Sequence, residues 1–168
     1  MESDAVLELY NHFNDCGITV WIDGGWGVDA LLGRQTREHS DLDIAVSRQD
    51  AGKLRALLES KGFREVGRAD STAYVFFMQN DSGQGVDVHV FEYDEAGNNT
   101  YGIPYPFGSL TGTGFIGGQA VNCVNPAAMF EFKTGYAPKE KDRQDVRALC
   151  DKFGFDLPEE YAEILQSP

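Results

Sequence analysis

The sequence predicts one α/β domain with a helical C-terminal portion, an α/β core over about residues 1–125 and helices over about 126–168. Three observations carry this. Short apolar runs of strand length alternate with stretches of helical period through the first two thirds of the chain. Clusters of Gly, Asn and Asp punctuate them. After Asn125-Pro126 only helical patterns remain. With 168 residues and 42% hydrophobic content, the chain is long enough to bury a real core.

Val6, Leu7, Leu9, Tyr10 and Phe13 follow a helical period, with Ser3 as the expected N-cap and Gly17 as the stop. Thr19–Ile22 reads as a short buried strand ending at Gly24-Gly25. Trp26–Leu32 reads as a short helix closed by Gly33. Asp41–Val46 reads as a strand, and Ser47-Arg-Gln-Asp50 has the spacing of a capping box opening a helix to about Ser60. Three strands follow, at Phe63–Arg68, Thr72–Gln79 and Val86–Phe91, with turn chemistry at Asn80-Asp-Ser-Gly83 and Asp94-Glu-Ala-Gly97. Pro104 and Pro106 mark an aromatic loop with Tyr101, Tyr105 and Phe107. Leu110–Ile116 and Gln119–Val124 form a hairpin across Gly117-Gly118. Helices are expected from Asn125-Pro126 to about Thr134, over Glu140–Phe153, and over Pro158–Leu165.

Bulk composition excludes several classes. No apolar run approaches the ~18 residues of a membrane span, and the acidic start Met1-Glu-Ser-Asp4 lacks a signal peptide's basic region. Three cysteines without C-x-x-C spacing read as reduced, buried thiols, so a cytoplasmic location is expected. Fourteen Lys+Arg against twenty-seven Asp+Glu give a net charge of −13. Such a surface repels nucleic acid and attracts a small cation, or serves solubility alone.

The chemistry lies in one run, Trp21-Ile-Asp-Gly-Gly-Trp-Gly-Val-Asp-Ala-Leu-Leu-Gly-Arg-Gln-Thr-Arg-Glu-His-Ser-Asp-Leu-Asp-Ile-Ala-Val46. Asp41 and Asp43, two apart on a strand, project to one side roughly 6.5–7 Å apart. Leu42 and Ile44 make the opposite face apolar. Asp87 lies in Gly85-Val-Asp-Val-His-Val-Phe91, a strand of the same alternation, and sheet neighbours would bring all three acids together. Their repulsion would be relieved by hard divalent cations, which favour carboxylate oxygen. Two Mg²⁺ ions about 3.5–4 Å apart suit in-line displacement at phosphorus. Asp87 is then a metal ligand or the general base, with Glu92 on the other parity as its competitor. Gly24 and Gly25 offer backbone NH groups to phosphate. Arg37 offers a bidentate phosphate contact, and Lys133 leads a basic patch with Lys139, Lys141 and Arg143. The competing reading of that patch is a helix with a Lys141–Asp145 ion pair. His39 and His89 share parity with the acids and read as hydrogen-bonded neighbours more than as ligands. Gly112-Thr-Gly114-Phe-Ile-Gly117 fits G-x-G-x-x-G, but a strand pattern follows it, which excludes a dinucleotide site.

The segment from Asp23 to Ile44 closely resembles the signature of antibiotic nucleotidyltransferases, of the lincosamide and small aminoglycoside 2″-adenylyltransferase types. These belong to the polymerase-β-like superfamily, and Trp26 after the glycine pair is what this branch shows. Lys133-Thr-Gly-Tyr136 and Lys141-Asp-Arg-Gln-Asp145 are similar to its C-terminal helices. The likeness spans roughly residues 5–155 and is thin between 93 and 125. It implies a nucleotidyltransferase fold, a mixed sheet flanked by helices. It further implies Mg²⁺-dependent transfer of a nucleoside monophosphate, AMP foremost, from an NTP such as ATP to an antibiotic hydroxyl. By position, Asp41, Asp43 and Asp87 match the metal-binding and catalytic acids, and Gly24 and Gly25 the phosphate turn. A homodimer sharing the acceptor site is a further implication. The alternative is a minimal fold acting as an antitoxin or nucleotide-binding regulatory module.

Overall fold

In a computed structural model of the protein, residues 1–162 are described. The elements run α1 (Ser3–Asp15), β1 (Val20–Ile22), α2 (Gly24–Leu32), β2 (Asp41–Ser47), α3 (Arg48–Ser60), β3 (Arg64–Val66), β4 (Val75–Gln79) and β5 (Gly85–Tyr93). They continue β6 (Asn99–Gly102), β7 (Gly112–Ile116), β8 (Gln119–Cys123), α4 (Pro126–Thr134), α5 (Glu140–Phe153) and α6 (Glu159–Ala162). The last three residues of the expected tail helix, 163–165, lie outside the described residues.

The strands form one mixed sheet in the order β3-β4-β5-β2-β1-β8-β7. β2 and β5 are parallel, and β1 runs antiparallel to β2 and parallel to β8. β5 is long enough to take β4 along Gly85–His89 and β6 along Phe91–Tyr93. Helices flank this sheet: α3 packs on β2 and β5, α2 packs on β2 and β7, and α4 and α5 stack on α2. Period-2 alternation does the sorting. Leu42, Ile44, Val46, Val86, Val88 and Val90 are all buried, each contributing about 1.5–3 kcal/mol on transfer from water. Their neighbours Asp41, Asp43, Asp87 and His89 occupy the opposite parity and remain partly accessible. Among the described residues no helix is long and apolar enough to cross a membrane.

Several local expectations shift. The N-cap of α1 is Glu2 rather than Ser3, and it caps without a side-chain bond. Ser47 is the N-cap of α3, but its hydroxyl donates to Asp50 instead of accepting a backbone NH. The glycine pair is not ahead of the helix but forms its first turn, with Asp23 as N-cap. β3 stops at Val66 and β4 begins at Val75, because the residues between make their own turn bonds, Ser71 N to Arg68 O and Thr72 N to Val75 O. A fourth strand of the middle region, β6, escaped the pattern, since Asn99-Thr-Tyr-Gly carries no apolar alternation. Ser109–Thr111 forms a 3-10 turn where the hairpin strand was expected to begin. Cys123 and Cys150 are buried but Cys16 is exposed, since it follows the last turn of α1. The G-x-G-x-x-G match falls in the β7–β8 hairpin, as its strand context required.

Candidate active site

The site forms where three chain segments meet above the parallel pair β2/β5. Asp43 stands directly opposite Asp87 in register, and Asp41 opposite Gly85. The β1–α2 turn is fastened beside them, because the backbone NH of Asp23 donates to the Asp43 carbonyl at 2.9 Å. Gly24 adopts φ +57°, and a Cβ there would lie 2.0 Å from Asp43 Oδ2. Glycine is therefore required twice, by conformation and by the approach of the carboxylate. At Gly25 a Cβ would meet Arg37 and His39, each at 2.5 Å.

One nitrogen or oxygen atom from each of Asp43, Asp87 and His89 lies within 4.8 Å of the others. Asp87 Oδ1 is buried without a hydrogen-bond partner among the described residues. An orphaned carboxylate oxygen in a cluster with a second carboxylate and an imidazole suits a hard divalent cation, and the donor chemistry fits. Asp41 sits at the rim, where Ser40 Oγ donates to it at 2.9 Å. Arg68, which the sequence reading missed, bridges the rim, 3.6 Å from Asp41 and 3.2 Å from Asp87, its guanidinium stacked over Phe77. Nothing in its local pattern marked it.

The electrostatics match this crowding. Burial pushes the Asp43 carboxyl up to about 6, with the charges of Asp23, Asp41 and Asp87 adding to it against His89. Burial also raises Asp87, opposed by His89 and Arg68. For His89, burial pulls the imidazole down, but the interaction with Asp23 and the charges of Asp43 and Asp87 prevail and raise it. Asp23 goes the other way. Burial favours its neutral form, yet His89, the Tyr105 hydroxyl and the Gly24 NH together hold it below the usual carboxylate range.

The opposite wall of this cavity, about 280 Å³, comes from α4 and the start of α5. Lys133, Tyr136, Lys139 and Lys141 line it, with Arg37 beside them. Arg143 does not belong to this group, since it reaches Glu160 in α6. Arg37 and Lys133 converge on one buried carboxylate. Arg37 holds Asp145 through two bonds of 2.9 Å, and Lys133 Nζ donates to Asp145 at 3.0 Å. These contacts take the place of the Lys141–Asp145 pair of the competing reading, because Asp145 faces inward and is 1% exposed. His39 bonds Asp29, as does Thr36, which fixes the loop between α2 and β2. Trp26 is buried against the His39 ring at 4.7 Å. Glu92 pairs with Arg48 on the other parity of β5, away from Asp87.

Comparisons with known proteins show the family and the fold. The model of the family described as aminoglycoside-2″-adenylyltransferase matches residues 5–149. A lincosamide resistance protein of Staphylococcus haemolyticus is 30% identical over 151 residues, 86% of this chain and 89% of that protein. A 2″-aminoglycoside nucleotidyltransferase of Escherichia coli is 42% identical over a shorter span of 53 residues, 32% of this chain and 30% of that protein. The crystal structure of lincosamide antibiotic adenylyltransferase LnuA, lincomycin-bound, superposes with a TM-score of 0.73 at 25% identity, covering 86% of this chain and 93% of that one. The solution structure of the antibiotic-resistance factor ANT(2″)-Ia gives 0.76 at 25% identity, covering 90% and 84%. A nucleotidyltransferase fold, an acid cluster opposite a lysine-bearing wall and a family match over most of the length lead to one conclusion: the chain belongs to the aminoglycoside-2″-adenylyltransferase family.

Proposed function

We propose that the protein transfers AMP from Mg²⁺-bound ATP to a hydroxyl of an aminoglycoside or lincosamide, releasing pyrophosphate and conferring resistance. The observation that carries the reading is the register pair Asp43/Asp87, with its orphaned Oδ1, set beneath the Gly24 turn. Family membership favours a transferase over an antitoxin or regulatory module.

Asp41, Asp43 and Asp87 are the residues that would hold two Mg²⁺ ions. Bound there, the metal supplies charge neutralisation for the carboxylates and the phosphates. Asp87 receives the proton of the acceptor hydroxyl, whose oxygen forms the bond to the α-phosphorus as the bond to the pyrophosphate oxygen breaks. Gly24 NH is taken by Asp23 at 2.7 Å, which leaves Gly25 and the first turn of α2 to face a phosphate. Arg37 and Lys133 are balanced by Asp145 and Asp142, so they shape the phosphate wall while Lys139 and Lys141 give it net positive charge. The net charge of −13 draws in a cationic antibiotic and disfavours nucleic acid. A cytoplasmic homodimer completes the reading, and sedimentation checks the dimer.

The deciding experiment incubates the protein with Mg²⁺, each of four nucleoside triphosphates and a panel of both antibiotic classes, then reads product masses. A gain of one AMP on an aminoglycoside or a lincosamide supports the proposal. Absence of any adduct returns the module reading.

A further inference from the structure

Tyr105 sits in the loop where family resemblance is thinnest, yet it is 3% exposed. Its ring packs between Phe91 at the end of β5 and Phe132 in α4, with centroids 5.8 and 5.7 Å away. Its backbone carbonyl accepts a bond from the Tyr93 hydroxyl at 3.0 Å. A tyrosine anchored at ring and backbone has little freedom to move its hydroxyl.

That hydroxyl lies at a junction. It donates to Asp23 Oδ2 at 2.7 Å and lies 3.2 Å from His89 Nδ1. A phenol has one proton. With that proton given to Asp23, the oxygen can only accept from His89, so His89 must carry a proton on Nδ1. The imidazole is thereby turned so that Nε2 faces Asp87 Oδ1 at 3.6 Å. On the other branch, Asp23 commits its second oxygen to the Gly24 NH at 2.7 Å. One hydroxyl thus touches both halves of the site, the turn that confines Asp43 and the imidazole that faces Asp87.

We propose that Tyr105 is a positioning residue for adenylyl transfer, its hydroxyl fixing the His89 imidazole against Asp87 and the Asp23 carboxylate against the Gly24 turn. The inference rests on the transferase reading for its kinetic consequence but not for its structural one. Asp23 and His89 are not themselves in hydrogen-bond contact, their direct separation being 3.8 Å, so the hydroxyl is the link between them. Loss of the hydroxyl would leave the Nδ1 proton without a partner and release the ring.

The test uses Tyr105→Phe, which keeps the ring packing, beside Tyr105→Ala, which removes it. Tyr105→Phe is expected to lower kcat by about 10- to 100-fold, the usual effect of removing a partner that orients a site residue, while the KM for ATP stays within about threefold. Tyr105→Ala should fall at least as far. A kcat for Tyr105→Phe equal to wild type, with loss only in Tyr105→Ala, reduces Tyr105 to a packing residue and overturns the proposal. The second readout needs no turnover. The ¹⁵N spectra of the three histidines, with His89→Gln to assign the signal, report the hydrogen bonding of each ring nitrogen. A hydrogen-bonded Nδ1–H is expected in the wild type, with that bond lost and the proton exchanging faster in Tyr105→Phe. An unchanged Nδ1 signal refutes the positioning role even if wild-type protein adenylylates nothing. A changed Nδ1 signal in a protein without transferase activity keeps the hydrogen-bond junction and removes the proposed function.

Discussion

Replacing Gly24 by alanine gives the most demanding test of the site's geometry. A Cβ at this position would lie 2.0 Å from Asp43 Oδ2, 2.5 Å from its Cγ and 2.9 Å from its Cβ. No contact of that kind is tolerated, so Asp43 must turn away from Asp87 or the α2 turn must lift. A second effect is independent of the contact. At φ +57° an L-residue in the left-handed region costs about 1–2 kcal/mol. Gly33→Ala separates the two, because Gly33 has φ +73° and an added Cβ there would meet nothing within 4 Å. Gly33→Ala should therefore lose about 1–2 kcal/mol in urea unfolding and keep its turnover. Gly24→Ala should lose more stability than that, since rotation of Asp43 moves its carboxylate away but leaves its Cβ 2.9 Å from the added methyl, so backbone must shift as well. Its Mg²⁺-dependent pyrophosphate release should fall by more than about 100-fold, because a misplaced charge-stabilising group costs on the order of 10²–10³ in rate. Turnover of Gly24→Ala within threefold of Gly33→Ala would refute the reasoning, since Asp43 would then be dispensable in its observed place.

Three further outcomes follow from the same contacts. Asp43→Asn should abolish Mg²⁺-dependent transfer and weaken Mn²⁺ binding measured by titration calorimetry, with the circular dichroism spectrum unchanged. Asp87→Asn should reduce turnover far more than ATP affinity, whereas Glu92→Gln should stay near wild type because Glu92 lies on the other parity and pairs with Arg48; the reverse ranking would move the base role to Glu92. Asp145→Asn should cost about 3–5 kcal/mol in urea unfolding by leaving Lys133 and Arg37 without their shared carboxylate. Burial opposes ionisation of Asp145, but Arg37 and Lys133 outweigh it and hold the carboxyl below its ordinary value. The wild-type contribution is therefore complete above about pH 4 and disappears as pH falls through the depressed folded value. Asp145→Asn should lack that acid-side loss, and identical pH profiles would rule out the pairing as a source of stability.

The parts of this protein that depend on a few consecutive residues could be read from the chain. Leu42 and Ile44 alternate with Asp41 and Asp43, so strand geometry alone aligned the acids on one face. Val86, Val88 and Val90 did the same for Asp87 and His89. The context of Gly112–Gly117 excluded a dinucleotide site for an equally local reason, since a hairpin leaves no helix N-terminus for a pyrophosphate. β6 went unseen because Asn99-Thr-Tyr-Gly carries no apolar alternation and becomes a strand through its pairing with β5.

The sequence by itself determined the acid spacing, the glycine turn and the family signature, because each is written within one strand or one turn and needs no distant partner. Tertiary structure decided which carboxylates face one another and which cations they keep. Register put Asp43 opposite Asp87, while Asp41 stayed at the rim under Arg68. Asp145 took Arg37 from 108 positions away instead of the lysine four residues before it. Tyr105 reached Asp23 across 82 positions. Charge and hydrogen-bonding capacity are properties of a residue, but partners are chosen by the folding of the chain around a buried group that cannot remain unpaired.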